Sequence, residues 1–215
     1  MIKAIFLDYT GTMVNDEEYT KKMLGYFMKY SDMKDPMEVF NKVWGMIKKI
    51  EAEHVHDTFV KKDEMVDMIL SYCVEHFGLK CDLDEIHTIW RDSWIHSPLF
   101  SDVKPFFERS TLPIYVVTND DLIYIQESMR EKDLQPAGII SAEMINACKP
   151  HREILDKALE VAGILPSEAV LIGDSETSDV NSALEVGIKP VLLDRAGKSK
   201  RSDIDVINSL DEYTF

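Results

Sequence analysis

The chain has 215 residues and a formal net charge of −15 at pH 7, because 39 acidic residues outnumber 24 basic ones. This charge repels the phosphate backbone of nucleic acids and no basic stripe offsets it, which argues against a polymeric nucleic acid as partner. No apolar run approaches the ~20 residues of a membrane span, and the three cysteines lack the spacing of a disulfide framework or a zinc site. We therefore expect a soluble, cytoplasmic protein with no membrane segment.

The first predicted element is a buried strand at residues 2–7, which ends at the polar residue Asp8. Residues 16–97 then show helical periodicity throughout and contain no strand-like run. Pro36 and the stretch 78–82 are among the breaks that divide this segment into about four helices. The segment is therefore predicted to be an all-helical insertion.

Four further apolar runs follow the helical segment. They lie at residues 114–118, 138–140, 169–173 and 190–194. Such runs are typical of strands buried on both faces of a sheet. Helix-like stretches lie beside the later strands, at residues 122–132, 150–162 and 177–186. This alternation predicts right-handed βαβ units and a doubly wound parallel α/β sheet, formed by residues 1–15 and 98–215.

Two of these helices carry end signals. Pro150 suits a first helical position, and Gly163 suits the position just past a helix end. Asp120 and Asp121 precede the helix at residues 122–132 and are predicted to cap its first turn, with a role in the substrate pocket as the alternative. These signals predict a helix boundary at each position.

Polar residues follow the first predicted strand at the edge where parallel sheets bind ligands. Asp8 comes directly after that strand. Gly11 permits a sharp turn, and the Thr12 hydroxyl and nearby backbone amides can donate to phosphate oxygens. Taken alone, the pattern also fits an ordinary turn between a strand and a loop.

Three more polar groups are predicted near the same edge. Thr118 and Asn119 end the second strand and offer a hydroxyl and an amide. Lys149 precedes Pro150 at the predicted start of a helix, where its ammonium could help to hold an anion. Each signal is weak alone, because most lone lysines are solvated surface residues.

Two carboxylates follow the strand at residues 169–173. Asp174 and Asp179 flank a tight turn, and hard oxygen ligands clustered in this way suit magnesium. Packed against Asp8 without a cation, these carboxylates would repel one another and raise at least one pKa. A divalent ion at this edge is therefore predicted.

Together these segments resemble the four motifs of the haloacid dehalogenase superfamily. The motifs, in order, read Asp8-x-Thr10-Gly11-Thr12, Thr118-Asn119, Lys149-Pro150 and Gly173-Asp174-Ser175 with Asp179. The resemblance covers nearly the whole chain, and it implies a Rossmann-like core with a helical cap inserted at residues 16–97. The insertion looks like the cap of the branch that contains phosphoglycolate phosphatase and β-phosphoglucomutase.

The resemblance also implies three sets of site residues. The catalytic set is Asp8, as the nucleophile that attacks phosphorus, with Thr10 and Lys149. The phosphate-binding set is Thr12, Thr118, Asn119 and Lys149. The Mg²⁺-binding set is Asp8, the Thr10 backbone carbonyl, Asp174 and Asp179. It thus implies a magnesium-dependent hydrolase, a phosphatase acting on a small phosphorylated metabolite, and we expect a monomer or a weak homodimer.

Thr10 departs from the typical phosphatases of this family, which have an aspartate at this position. That aspartate protonates the leaving oxygen and later activates water, and such general acid–base help is commonly worth ~10²–10⁴-fold in rate. A threonine hydroxyl is a poor acid or base. We therefore expect a slow or specialised phosphatase, whose substrate has a good leaving group or whose acid comes from the cap. P-type ATPases share the threonine, but nothing else here suggests membrane transport.

Two other functions stay open. Phosphonoacetaldehyde hydrolase also lacks the second aspartate and uses a cap lysine as a Schiff base, a role for which Lys48 and Lys49 lie in the right region. A phosphate-binding protein with little turnover is the second alternative. A haloacid dehalogenase is disfavoured, because those enzymes work without metal and this chain retains Asp174 and Asp179.

Overall fold

The computed structural model describes residues 1–215 and contains one six-stranded sheet. Its strands are β1 (Ala4–Leu7), β2 (Ile114–Thr118), β3 (Gly138–Ser141), β4 (Ala169–Gly173), β5 (Lys189–Leu193) and β6 (Asp205–Ile207). They lie in the order β3-β2-β1-β4-β5-β6, and every neighbouring pair is parallel. The predicted doubly wound parallel α/β fold is therefore confirmed.

Eight α-helices accompany the sheet. They are α1 (Glu17–Tyr30), α2 (Pro36–Glu53), α3 (Lys62–Phe77), α4 (Leu83–His96), α5 (Val103–Arg109), α6 (Leu122–Lys132), α7 (Glu153–Ala162) and α8 (Ser182–Val186). The first four helices lie between β1 and β2 in the chain, where an all-helical insertion was predicted. No helix combines the length and the apolar character that crossing a membrane would require.

The strand order determines where a ligand site can lie. The chain goes from β1 to β2 and β3 on one side, and then returns to β4 on the other side of β1. Leu7 of β1 lies opposite both Val116 of β2 and Ile172 of β4. The carboxyl ends of these three strands therefore meet at the point where the strand order reverses, which is the usual ligand crevice of an open α/β sheet.

Both faces of the sheet are buried, as the apolar runs predicted. Along β1, Ile5 and Leu7 join one core cluster, which includes Phe106 of α5, while the alternate residue Phe6 joins the opposite cluster with Leu155 of α7. This alternation follows from the two-residue period of a strand. Hence helices cover both faces of the sheet, and a ligand can approach it at the strand ends.

Helices α1 to α4 have a cluster of buried side chains of their own. Phe27, Val43, Ile69 and Trp90 lie within it. The ring of Trp94 on α4 stacks against Tyr124 on α6, with 4.9 Å between ring centroids. The helical segment thus packs around its own core and contacts helix α6 through this aromatic pair.

Several predicted boundaries differ from those observed. Helix α7 begins at Glu153 and not at Pro150, because the intervening residues form a turn in which the His151 amide donates to the Cys148 carbonyl at 2.9 Å. Gly163 does end α7 in the left-handed conformation, as predicted. The predicted helix at 177–186 consists of a π-helical turn, Glu176–Asn181, followed by α8.

Two elements were not predicted at all. Strand β6 has three residues at a sheet edge, and the first of them, Asp205, is exposed, so no apolar run marks it. Helix α5 has seven residues and contains Pro105, which would argue against a helix in the sequence. Pro105 lies in the first turn, where proline is tolerated. Both are too short to give a periodic signal.

Candidate active site

Three carboxylates converge at the ends of β1 and β4. Asp8 follows β1, and Asp174 and Asp179 follow β4; oxygen atoms of all three lie within 4.8 Å of one another. Asp8 and Asp179 are buried, whereas Asp174 is exposed to the cavity above the sheet edge. The predicted carboxylate cluster is therefore present as a geometric unit.

Two glycines make room for this cluster. Gly11 has a φ of +85°, and a Cβ at this position would lie 2.5 Å from Oδ2 of Asp174. A Cβ at Gly173 would overlap the Asp179 carboxyl group. Neither position tolerates a side chain, because backbone and carboxylates approach too closely. The sharp turn predicted at Gly11 is thus also a packing requirement.

Replacing Gly11 with alanine is expected to destabilise the protein by about 1–3 kcal/mol, since a left-handed alanine is strained and its Cβ displaces Asp174. Thermal or urea unfolding measures this difference. Gly25→Ala is the matched control, because no atom lies within 4 Å of its added Cβ inside α1, and it should unfold no earlier than the native chain. Equal stability of Gly11→Ala and the native chain would contradict the close packing.

Lys149 links two of the carboxylates. Its Nζ donates to Oδ1 of Asp8 at 2.6 Å and to Oδ1 of Asp179 at 2.5 Å, and its side chain is buried. Burial opposes the ammonium form, but the charges of Asp179 and Asp8 outweigh it and hold the pKa of Lys149 above its usual value. The site therefore contains a permanent positive charge beside the predicted nucleophile.

Asn119 positions this lysine. Its Nδ2 donates to the Lys149 carbonyl at 3.1 Å, and its Oδ1 accepts from the Lys149 amide at 2.7 Å. Both ends of the amide are thus used on the lysine backbone, although Asn119 also lines the cavity. The end of β2 and the loop before α7 are tied together by this pair of bonds.

The two threonines predicted to bind phosphate donate to carboxylates. The hydroxyl of Thr12 is buried and donates to Oδ1 of Asp174 at 3.2 Å. The hydroxyl of Thr118 donates to Oδ2 of Asp120 at 3.0 Å and lies beside the cavity. Thr118 is therefore better placed than Thr12 for a ligand, and both phosphate-binding roles stay predictions.

The carboxylates are short of compensating charge. Partial desolvation by the surrounding protein, together with the charges of Asp8 and Asp179, raises the pKa of Asp174 to about 7. Burial raises the pKa of Asp8 as well, an effect that Lys149 offsets in part. One ammonium faces three carboxylates, so a divalent cation with a preference for hard oxygen ligands fits this donor set.

Thr10 occupies the position of the missing acid–base aspartate and contacts another carboxylate. Its hydroxyl donates to Oδ2 of Asp120 at 3.1 Å. The predicted capping role of Asp120 and Asp121 is wrong, because neither carboxylate bonds to the first turn of α6; Asp121 instead accepts from the Lys62 amide at 3.1 Å. Tertiary partners from the helical segment outcompete the local cap, and the alternative role of Asp120 in the pocket fits the structure better.

A second charged network was not predicted. Glu51 of α2 and Lys62 of α3 are both buried, and their Oε1 and Nζ atoms lie 3.0 Å apart. Lys62 also lies 3.5 Å from Oδ1 of Asp120, and Lys48 donates to Oε2 of Glu51 at 3.0 Å. The three-residue spacing of Lys48 and Glu51 on one helix was the one local signal in the sequence.

A cavity of about 390 Å³ lies between the strand ends and helices α1 to α4. Its floor contains the predicted catalytic residues Asp8, Thr10 and Lys149, together with Asp174 and Asp179. Its upper walls come from the helical segment and include Lys48, but not Lys49. All the predicted site residues except Thr12 therefore face a space of the size of a small-molecule pocket.

Comparisons with known proteins agree with this arrangement. A family model described as a hydrolase, haloacid dehalogenase-like hydrolase, matches residues 2–187. The enolase-phosphatase E1 of Aquifex aeolicus is 25% identical over 240 residues, covering 99% of each chain. The glyceraldehyde 3-phosphate phosphatase of Pyrococcus furiosus is 39% identical over 57 residues, which are 26% of this chain and 23% of that enzyme.

Solved structures resemble the whole chain. The HAD-hydrolase YfnB from Bacillus subtilis, bound to magnesium, has a TM-score of 0.79 at 17% identity and covers 98% of this chain and 96% of its own. The L-2-haloacid dehalogenase from Xanthobacter autotrophicus, with chloropropionic acid covalently bound, has a TM-score of 0.79 at 15% identity with the same coverage. At these identities the likeness concerns the fold.

Proposed function

Because this chain belongs to the haloacid dehalogenase-like hydrolase family, we propose that it is a magnesium-dependent phosphatase that acts on a small phosphorylated metabolite through an aspartyl-phosphate on Asp8. It is a hydrolase by family, and the relatives with the names enolase-phosphatase and glyceraldehyde 3-phosphate phosphatase support the phosphatase assignment. The observation that carries the proposal is the buried Asp8 carboxylate, 2.6 Å from Lys149 and within one cluster with Asp174 and Asp179.

The proposed reaction has two steps. An Asp8 oxygen bonds to phosphorus while the bond from phosphorus to the leaving oxygen breaks, and water then attacks phosphorus and releases Asp8 and inorganic phosphate. Lys149 places positive charge beside the transferring phosphoryl group, and Asn119 holds the lysine in place. Thr118 and Thr12 are proposed to offer their hydroxyls to the phosphoryl oxygens once substrate competes for them.

Asp8, Asp174, Asp179 and the Thr10 carbonyl are the proposed magnesium ligands. When bound, the ion supplies positive charge that neutralises the phosphoryl oxygens and the carboxylate cluster. The unbalanced charge of the cluster and the raised pKa of Asp174 support this assignment. Removal of the ion with a chelator should therefore abolish turnover.

Residues 16–97 are proposed to act as a cap over a core of residues 1–15 and 98–215. Their separate buried cluster supports this division, and their contribution to the cavity walls gives them a role in substrate choice. Closure of such a cap excludes water from the reacting groups.

The phosphonate-cleaving alternative has one observation in its favour. Lys48 lines the same cavity as Asp8, whereas Lys49 does not. However, Lys48 donates to Oε2 of Glu51 at 3.0 Å, so its amino group is already paired with a carboxylate. The geometry therefore supports the phosphatase better.

Replacing Thr10 with aspartate is expected to raise turnover of alkyl phosphate esters by at least about 10-fold, a part of the usual acid–base contribution. The new carboxyl group would lie beside Asp120, since the Thr10 hydroxyl is 3.1 Å from Oδ2 of that residue. Two adjacent carboxylates share a proton, which provides the missing acid.

Phosphate release with and without magnesium measures the effect, and Thr10→Asn is the matched control of equal size that carries no acid. If the aspartate and asparagine variants are equally slow on alkyl esters, a missing acid does not limit this enzyme. If neither the native chain nor any variant releases phosphate in the presence of magnesium, the phosphatase proposal fails.

A further inference from the structure

The upper walls of the cavity are largely apolar and aromatic. Helix α2 contributes Phe40, Val43, Trp44 and Ile47, and residues of α1 and α4, among them Met23 and Trp90, also line the space. Asp16, Glu17, Thr20 and Ser93 also line the cavity from this segment, but the apolar side chains make up most of its wall, and buried hydroxyls that face them without partners are costly. The walls therefore fit an apolar organic group.

Trp44 is the clearest contact surface in this wall. Trp44 is 47% exposed and lines the cavity. Phe40 stacks beside it with ring planes 8° apart, and the Lys48 ammonium lies 4.7 Å from the centre of its ring. The indole is thus held between neighbours on its own helix, and it forms an apolar part of the cavity wall.

No unpaired lysine in the cavity is left for a second anionic group. The basic residues that line it are Lys48, Lys62 and Lys149. Lys48 and Lys62 both pair with Glu51, and Lys149 pairs with Asp8 and Asp179. A substrate with a carboxylate or a second phosphate would have to break one of these pairs, which makes an uncharged organic group the better fit.

Thr10, Thr118 and Asp120 do not offer a free proton to the leaving oxygen. The Thr10 and Thr118 hydroxyls both donate to Oδ2 of Asp120, and Lys62 lies 3.5 Å from its other oxygen. Asp120 is thus surrounded by donors and serves as an acceptor. A leaving oxygen beside these three groups departs as an anion, so it needs to be stable in that form.

The apolar wall with its paired lysines and the lack of a proton beside Thr10 lead to one inference, which rests on the proposed function. We infer that the substrate is an aryl or acyl phosphate whose organic part is apolar, uncharged and about the size of an aromatic ring. Asp8 forms its bond to phosphorus, the bond from phosphorus to the leaving oxygen breaks, and the electron pair departs on a phenolate or a carboxylate. Trp44 binds the organic part and determines specificity.

Matched substrates test separately the leaving group and the apolar organic part. With magnesium present, kcat/KM is compared for phenyl and cyclohexyl phosphate, which differ in leaving group, and for benzoyl and acetyl phosphate, which differ in apolar size. We expect kcat/KM for phenyl phosphate to exceed that for cyclohexyl phosphate by at least about 100-fold. We expect kcat/KM for benzoyl phosphate to exceed that for acetyl phosphate by at least about 10-fold. Glucose 6-phosphate and phosphoglycolate should be poorer than phenyl and benzoyl phosphate.

The variant Trp44→Ala should raise KM for benzoyl phosphate by about 10-fold or more, with little change for acetyl phosphate. The control is Tyr72→Ala, an exposed aromatic residue of α3 that does not line the cavity, and it should leave both values unchanged. Equal effects of Trp44→Ala on the two acyl phosphates would remove Trp44 from the organic subsite and overturn the inference.

The inference about the substrate can be wrong while the proposed phosphatase function is right. Faster hydrolysis of glucose 6-phosphate or phosphoglycolate than of phenyl and benzoyl phosphate would overturn the substrate class and leave a phosphatase. A beryllium fluoride adduct at Asp8 without turnover of the aryl and acyl phosphates would likewise overturn the substrate class and leave the proposed function. Absence of both turnover and adduct would overturn the proposed function itself.

Discussion

The Asp8→Asn variant is expected to lose phosphate release by on the order of 10⁴–10⁶-fold, the range found when a catalytic nucleophile is removed. An amide oxygen cannot attack phosphorus to form the aspartyl-phosphate, while the side chain keeps its shape and an acceptor for Lys149. Steady-state phosphate release measures the loss. With magnesium and beryllium fluoride, an adduct should form at Asp8 in the native chain and not in the variant.

A matched change elsewhere separates chemistry from folding. Asp133 ends α6 in the left-handed conformation, which asparagine adopts readily, so Asp133→Asn should keep native turnover. Thermal unfolding should show that both variants are folded. Native turnover in Asp8→Asn would place the nucleophile elsewhere and remove the basis of the proposed reaction.

Replacing Lys149 with methionine is expected to have the largest effect on stability as well as a large effect on activity. The change removes a buried ammonium and leaves Asp8 and Asp179 without their common partner. Breaking a buried ion pair by removing one partner costs about 3–5 kcal/mol. Urea unfolding measures this loss, and phosphate release should fall to the background rate.

Two measurements distinguish charge balance from simple loss of packing. The double variant Lys149→Met/Asp179→Asn should recover much of the stability but none of the activity, because it removes one uncompensated charge. Magnesium should raise the unfolding temperature of Lys149→Met more than that of the native chain, since the cluster lacks its ammonium. Native stability of Lys149→Met would contradict the charge balance described for the site.

The parts of the fold that were predictable carry strong local signals. The strands Ile114–Thr118 and Ala169–Gly173 and the helix Leu122–Lys132 have the predicted bounds. Long apolar runs and clear helical periods mark them, so neighbouring residues alone specify their conformation. Gly163 was assigned correctly for the same reason, since its signal lies in its immediate surroundings.

The sequence predicted which residues lie in the site better than it predicted the hydrogen bonds that they make. Asp8, Thr118 and Asp174 could be placed at strand ends because parallel strands bring their carboxyl ends to one edge. That the Thr12 hydroxyl is directed to Asp174, and that Asn119 holds the lysine backbone, depends on loops that no period describes. The assigned roles of these residues in catalysis stay proposals.

The sequence by itself determined a doubly wound parallel sheet with a helical insertion, an acidic surface and a set of motif residues that converge on one edge. Only the tertiary structure decided that Asp120 pairs with Thr10 and Lys62, that Glu51 pairs with Lys62, and that Trp44 lines the cavity. The physical reason is separation along the chain. Strand and helix signals arise between near neighbours, whereas these contacts join different elements and form only when those elements pack together; the pair of Lys62 and Asp120 joins the helical segment to the end of β2.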